Sequence, residues 1–224
     1  MKQRFDLIVF DWDGTLMDSE AKIVRCFEAA CGDANVTYPG NNEVRAIIGL
    51  GLREAVERLL PGHSDTDITA VTQQYREHFL YHDKTKMEFF PGVLAGLQQL
   101  EDHGYMLAVA TGKARRGLKH LLDEWDLHDR FVATRCADEA FSKPHPKMLE
   151  DVLDMAGVNA DRAIMIGDTT FDMEMARNAG VAGLAVTYGV HSRDSLVEHQ
   201  PLDCLDSFEA VRSWLINKDI AVNG

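Results

Sequence analysis

Short apolar runs at residues 7–10, 106–110, 163–166 and 184–186 alternate along the chain with segments whose apolar residues recur every three or four positions. Those segments lie at 93–100, 117–122, 148–155, 172–179 and 208–216, and a weaker apolar run sits at 131–133. Continuous apolar runs of this length suit strands buried on both faces, and the intervening periodicity suits amphipathic helices. The alternation predicts a mostly parallel sheet with helices on both faces, an α/β fold. In open sheets of this kind ligands bind beyond the carboxyl ends of the strands. The residues that follow each apolar run are therefore the ones placed to carry chemistry.

One interval breaks the rhythm. The later runs follow one another at about the 30-residue size of a strand–helix–strand unit, whereas the gap between the first and second is roughly three times that. The stretch between them holds only helix-like patterns: 52–60 ends at Pro61-Gly62, and 68–81 has apolar residues at three- and four-residue spacing. The expectation is a helical domain at residues 17–89, inserted after the first strand of a core formed by 1–16 and 90–224. Its hinges fall near 15–19 and 84–91.

Each predicted strand is followed by a polar cluster. Asp11-Trp12-Asp13-Gly14-Thr15 follows the first, Thr111-Gly112-Lys113 the second, and Gly167-Asp168-Thr169-Thr170-Phe171-Asp172 the run at 163–166. Ser142-Lys143-Pro144-His145-Pro146 holds a lysine in a loop that opens a helix. Four carboxylates, those of Asp11, Asp13, Asp168 and Asp172, would repel one another without a cation among them. An all-oxygen donor set favours Mg²⁺. Lys143 adds a fixed positive charge and Thr111 a hydroxyl, so a phosphate group would meet the charge stabilisation that phosphoryl transfer needs. Of the paired carboxylates after the first strand, one can attack phosphorus and the other can protonate the leaving oxygen.

The rest of the chain agrees with a small anionic substrate. Its net charge of −13 over 224 residues argues against nucleic acid and against an anionic membrane surface as partners. Cys26, Cys31, Cys136 and Cys204 form neither a disulfide framework nor a CxxC zinc pattern. A reduced, cytoplasmic protein is expected, and the charge does not distinguish a monomer from a homodimer.

These four clusters, in this order, resemble the motifs of the haloacid dehalogenase-like hydrolase superfamily, within it the phosphoglycolate-phosphatase-like group with a helical cap. The resemblance spans the whole chain and implies a Rossmann-like core with the cap inserted after the first motif. It implies Asp11 as the nucleophile that forms an aspartyl-phosphate, and Asp13 as the group that protonates the leaving oxygen and then activates water. It implies Thr111, Gly112 and Lys143 at the phosphoryl group. Mg²⁺ would be held by Asp11, the Asp13 backbone carbonyl and Asp168, with Asp172 in or beside that set. Dehalogenases of the superfamily lack the second aspartate, so Asp13 points to a phosphate ester. Sugar phosphomutases carry adjacent acidic residues in the fourth motif, where this chain spaces Asp168 and Asp172 four apart. Hydrolysis of a small phosphorylated metabolite, phosphoglycolate or sugar-phosphate-like, is the expectation. A phosphomutase and a non-hydrolytic phospho-accepting or ligand-binding protein are the alternatives.

Within the predicted cap, Arg45 and Arg53 flank Gly49-Leu50-Gly51 and are candidates to meet a second anionic group of the substrate, with solvated helix charges as the plainer reading. Two other patterns carry little. Gly49-Leu50-Gly51 begins a dinucleotide fingerprint, but Glu54 stands at its third glycine. Gly112-Lys113 ends a Walker-like loop, but Leu107 and Ala114 replace its first glycine and its hydroxyl residue.

Overall fold

The computed structural model describes residues 4–221. The chain begins with β1 (Leu7–Phe10) and β2 (Met17–Asp18), then runs through helices α1 (Glu20–Asp33), α2 (Asn41–Arg45), α3 (Leu52–Leu59) and α4 (Asp65–Glu77). A π-helical turn (His78–His82) and β3 (Glu88–Phe89) return it to the sheet. There follow α5 (Val93–Asp102), β4 (Met106–Thr111), α6 (Arg115–Glu124), β5 (Ala133–Cys136), α7 (Lys147–Ala156) and β6 (Ala163–Gly167). The chain closes with α8 (Thr170–Asn178), β7 (Ala182–Val186), α9 (Arg193–Val197), β8 (Cys204–Leu205) and α10 (Phe208–Ala221).

Six of these strands form a parallel sheet in the order β5-β4-β1-β6-β7-β8. β1 lies between β4 and β6, so the connections leave it toward both sides and open a crevice at its carboxyl end. The pleat sorts β1 between two cores. Ile8 and Phe10 face Leu97 of α5, Leu118 of α6 and Phe208 of α10, while Leu7 and Val9 face Met148 and Val152 of α7 and Met175 of α8. Every residue of β1 is buried, which is why its sequence is continuously apolar and does not alternate. A third cluster holds no sheet residue: Ile23, Phe27, Val44, Val56 and Val71 pack together across α1 to α4. The inserted helices thus have a core of their own.

Two expectations need correction, and two short elements carry no sequence signal. The stretch 17–89 is not helical throughout, because β2 and β3 pair antiparallel at its two ends, Met17 opposite Phe89. Two-residue strands are too short to show a period of two. The weak run at 131–133 is displaced: β5 begins at Ala133, and Phe131 is buried just before it. β8 and α9 were not anticipated, each being too short for periodicity to register. All four cysteines are free and buried. Among the described residues no helix is long and apolar enough to cross a membrane.

Candidate active site

The sheet register sets Phe10 opposite Val109 on one side and Ile166 on the other. The residues that leave these neighbouring strands therefore emerge together: Asp11 after β1, Thr111 at the end of β4, Asp168 after β6. Asp11 stays in the sheet long enough for its N–H to donate to the Ile166 carbonyl at 2.9 Å. Carboxylate oxygens of Asp11, Asp168 and Asp172 all lie within 4.8 Å of one another, and all three residues are fully buried.

Each carboxylate is held by its neighbours. Asp172 caps α8: its Oδ2 accepts from the Thr169 N–H at 3.1 Å and from the Thr169 hydroxyl at 2.7 Å, closing a capping box. Asp168 accepts from the Thr15 hydroxyl and from the Val190 N–H, both at 2.8 Å. Gly14, at φ +80°, lets the first loop press against Asp168, where a Cβ would fall 2.2 Å from its Oδ2. Lys143, fully buried, places Nζ 2.8 Å from Asp11 Oδ1 and 2.7 Å from Asp172 Oδ1. The loop that delivers it leads through Pro146 into α7.

Asp11 Oδ1 also accepts from the Trp12 N–H at 2.7 Å, while its Oδ2 is buried with no partner among the described residues. Three buried carboxylates face one ammonium, and desolvation disfavours their charge. Burial pushes the Asp11 carboxyl up to about 7 against the pull of Lys143, and it pushes Asp168 well above the usual carboxylate range, with Asp172 adding to the rise. The same two carboxylates, Asp11 and Asp172, outweigh desolvation at Lys143 and raise its ammonium above the ordinary lysine value. This excess of negative charge, an orphaned oxygen and an all-oxygen donor set fit a hard divalent cation.

Asp13 stands apart from that nest. Its Oδ1 accepts from the Ser19 hydroxyl and lies 2.8 Å from Lys113 Nζ. Thr111 is fully buried, with its Oγ1 accepting from the Lys113 N–H at 3.2 Å. The sequence places Lys113 in the polar cluster after β4 without giving it a role, because its partner Asp13 lies 100 positions earlier. Gly112 permits a close crossing: a Cβ there would come within 2.5 Å of the Gly49 and Leu50 carbonyl oxygens. The crossing loop is tied down by the Gly51 N–H, which donates to the Ser142 hydroxyl at 2.8 Å. The glycines that resemble part of a dinucleotide fingerprint thus serve close approach of the helical segment to the sheet.

Arg45 and Arg53 are not brought to this place. Arg45 Nε is 2.5 Å from Glu20 Oε1, and Arg53 pairs with Glu57 at 2.9 Å and with Asp65. Neither lines the cavity of about 320 Å³ that opens beside Asp13 and Gly112, under α1, α3, α4 and the π-helical turn. Arg76, Lys113 and Arg116 do line it.

The chain is similar to known proteins over most of its length. The haloacid dehalogenase-like hydrolase family profile matches residues 8–186. The "Probable phosphatase IndB" of Dickeya dadantii is 37% identical over 209 residues, which cover 92% of this chain and 91% of that one. A phosphoglycolate phosphatase of Agrobacterium fabrum is 31% identical over 220 residues, 95% of this chain and 93% of its own. Among solved structures, a "predicted phosphoglycolate phosphatase" from Haemophilus somnus 129PT superposes with a TM-score of 0.84 at 23% identity, over 93% of this chain and 97% of that chain. The chain belongs to the haloacid dehalogenase-like hydrolases and is a phosphoric monoester hydrolase of the phosphoglycolate-phosphatase-like group.

Proposed function

We propose that this protein is a Mg²⁺-dependent cytoplasmic phosphatase that hydrolyses a small phosphorylated metabolite through an aspartyl-phosphate on Asp11, with residues 17–89 acting as a cap. The observation that carries this reading is Asp11 Oδ2, a buried carboxylate oxygen without a partner, at the carboxyl end of the central strand. Lys143 fixes the other oxygen at 2.8 Å, leaving Oδ2 as the free nucleophile. Asp11, Asp168, Asp172 and the Asp13 carbonyl would hold Mg²⁺, which supplies neutralising charge for the phosphoryl oxygens.

In the first step Asp11 attacks phosphorus and the ester oxygen departs with a proton from Asp13. In the second, Asp13 takes a proton from water, the hydroxide attacks the same phosphorus, and the P–O bond to Asp11 breaks to give inorganic phosphate. Lys143, the Thr111 hydroxyl and the N–H groups of the loops after β1 and β4 stabilise the charge that develops on phosphorus oxygens. The loop at 49–51, lying over Gly112, keeps bulk water out while this happens.

The test is phosphate release from a panel of esters with Mg²⁺ and after chelation. Turnover is expected only with the metal, and Asp11→Ala is expected to lower it about 10⁴-fold or more with the melting temperature maintained. An Asp11→Ala protein that keeps a tenth of the activity removes Asp11 from this role.

A further inference from the structure

The cavity beside Asp13 does not look like a receptor for a two-carbon acid. Its wall is largely hydrocarbon and aromatic, with Phe27, Ile47, Leu50, Tyr75 and Phe79 among its residues. Three of these rings form a stack. The centroids of Phe27 and Tyr75 are 4.4 Å apart, and those of Tyr75 and Phe79 are 5.7 Å apart with an interplanar angle of 25°. The Lys113 ammonium lies 4.8 Å from the centroid of the last ring, Phe79. The Tyr75 hydroxyl has no hydrogen-bond partner among the described residues, although its ring borders the cavity and the charge of Asp13 reaches it. Tyr75 is half-buried and its hydroxyl is not among the sealed-off polar atoms, so it is open to the cavity and free to bond a group that enters.

A glycolate leaving group would fill little of this space and would set a carboxylate against hydrocarbon, a costly arrangement unless a cation met it. Lys113 is already paired with Asp13 at 2.8 Å, and Arg45 and Arg53 are turned to other carboxylates. Arg76 and Arg116 line the cavity but are exposed, and the Arg116 guanidinium already donates to the Tyr81 hydroxyl.

Resting on the phosphatase reading above, we propose that the alcohol released by this enzyme carries an aromatic ring. The ring packs along the Phe27–Tyr75–Phe79 stack, and the Tyr75 hydroxyl bonds its polar edge, making Tyr75 a specificity-determining residue. The substrate class is phosphate esters of primary alcohols that bear an aromatic ring, such as nucleoside 5′-monophosphates and phosphorylated hydroxymethyl heteroaromatics.

The experiment compares kcat/KM, with Mg²⁺ present, for a nucleoside 5′-monophosphate, a phosphorylated hydroxymethylpyridine, ribose 5-phosphate, phosphoglycolate and acetyl phosphate. At least one aromatic ester is expected to lead ribose 5-phosphate and phosphoglycolate by about tenfold or more. Tyr75→Phe, which keeps the ring, is expected to cut that lead by about threefold or more through the lost hydrogen bond. Phosphoglycolate or ribose 5-phosphate in the lead overturns the proposal, and so does a lead that Tyr75→Phe leaves unchanged. Failure to turn over any of these compounds, the acyl phosphate included, would instead strike the phosphatase reading. The pocket is then judged by calorimetric binding to Asp11→Asn protein, where equal affinity for the nucleotide and for phosphoglycolate overturns it and a tenfold preference for the nucleotide upholds it.

Discussion

The carboxylate nest at the end of β1 and the cavity under the inserted helices meet at Asp13, and they are built from opposite materials. In the nest almost every oxygen is claimed: Asp168 by Thr15 and Val190, Asp172 by Thr169 and Lys143, Asp11 by Trp12 and Lys143. In the cavity the wall is mostly apolar, and of its two phenols Tyr81 accepts from Arg116 while Tyr75 has no hydrogen-bond partner among the described residues. The nest is anchored in the sheet, whose register fixes where the side chains emerge. The cavity is walled largely by helices with a separate core, joined to the sheet by the two-residue ribbon β2–β3. The contrast separates two tasks. On the proposed function, chemistry common to any phosphate ester falls to the sheet-anchored nest, and selection of the leaving group falls to the wall built by the inserted helices.

Asp13 lines the cavity while its charge reaches Asp11 in the nest, so its removal gives the largest effect that can break this division. Asp13→Ala is expected to slow esters of poorly leaving alcohols by about 10²- to 10⁴-fold while slowing an aryl phosphate much less, because only the former need a proton in the transition state. Steady-state kinetics on the two substrate types decides it. Equal slowing of both would mean that Asp13 serves the nest alone, and the division at this residue would fail.

The nest itself is tested by pH in metal-free protein. Burial lifts the folded-state pKa of Asp11 to about 7 from a reference of 3.8. A raised pKa means that the folded state prefers the protonated carboxyl. Its stabilising contribution is therefore complete below the reference value and is lost as pH rises through about 7. Metal-free wild type is expected to lose melting temperature relative to Asp11→Asn between about pH 5 and about pH 8, and saturating Mg²⁺ should remove that loss. Parallel pH curves for the two proteins without metal would show that the nest tolerates its charge unaided.

A smaller effect is expected where the two regions touch. Gly112→Ala puts a methyl group 2.5 Å from the Gly49 and Leu50 carbonyls, so the loop at 49–51 must lift. The sheet core should fold as before while kcat/KM falls by about tenfold or more through poorer closure, a loss of positioning and not of chemistry. Hydrogen exchange confined to 47–52 would show the lifting directly. An unchanged kcat/KM would mean that closure at this point does not matter to turnover.

Much of the nest was legible in the sequence and much of the cavity was not, for a physical reason. A strand buried on both faces must be continuously apolar, so residues 7–10 announce a central strand, and whatever follows it must lie at the crevice. Asp11, Thr111, Lys143, Asp168 and Asp172 could all be placed by that rule or by the motif resemblance. The cavity is assembled by contacts between helices, and a helical repeat shows which residues are apolar without showing which of them leave a space. Lys113 stands beside the motif that names Thr111, yet its pairing with Asp13 is a long-range contact that no local pattern encodes. The ribbon β2–β3 escapes for a different reason, since two residues cannot display alternation.

Arg45 and Arg53 carry the smallest expected effect and the sharpest test of how far the inserted helices take part in recognition. Both flank the loop at 49–51 in sequence, which made them candidates to greet a second anionic group. Helical geometry turns them away: Arg45 reaches back to Glu20 at the start of α1, and Arg53 bridges Glu57 and Asp65 on the outer side of α3 and α4. Their side chains are 42% and 52% exposed, so these pairs are screened by water and contribute little to stability. Arg45→Ala and Arg53→Ala are each expected to change kcat/KM by about twofold or less, and the free energy of unfolding by about 1 kcal/mol or less. A tenfold loss in kcat/KM from either substitution, with the melting temperature held, would place that arginine at the substrate during turnover. The cap would then have to break a carboxylate pair as it closes, and its selectivity would rest on charge as well as on the aromatic stack.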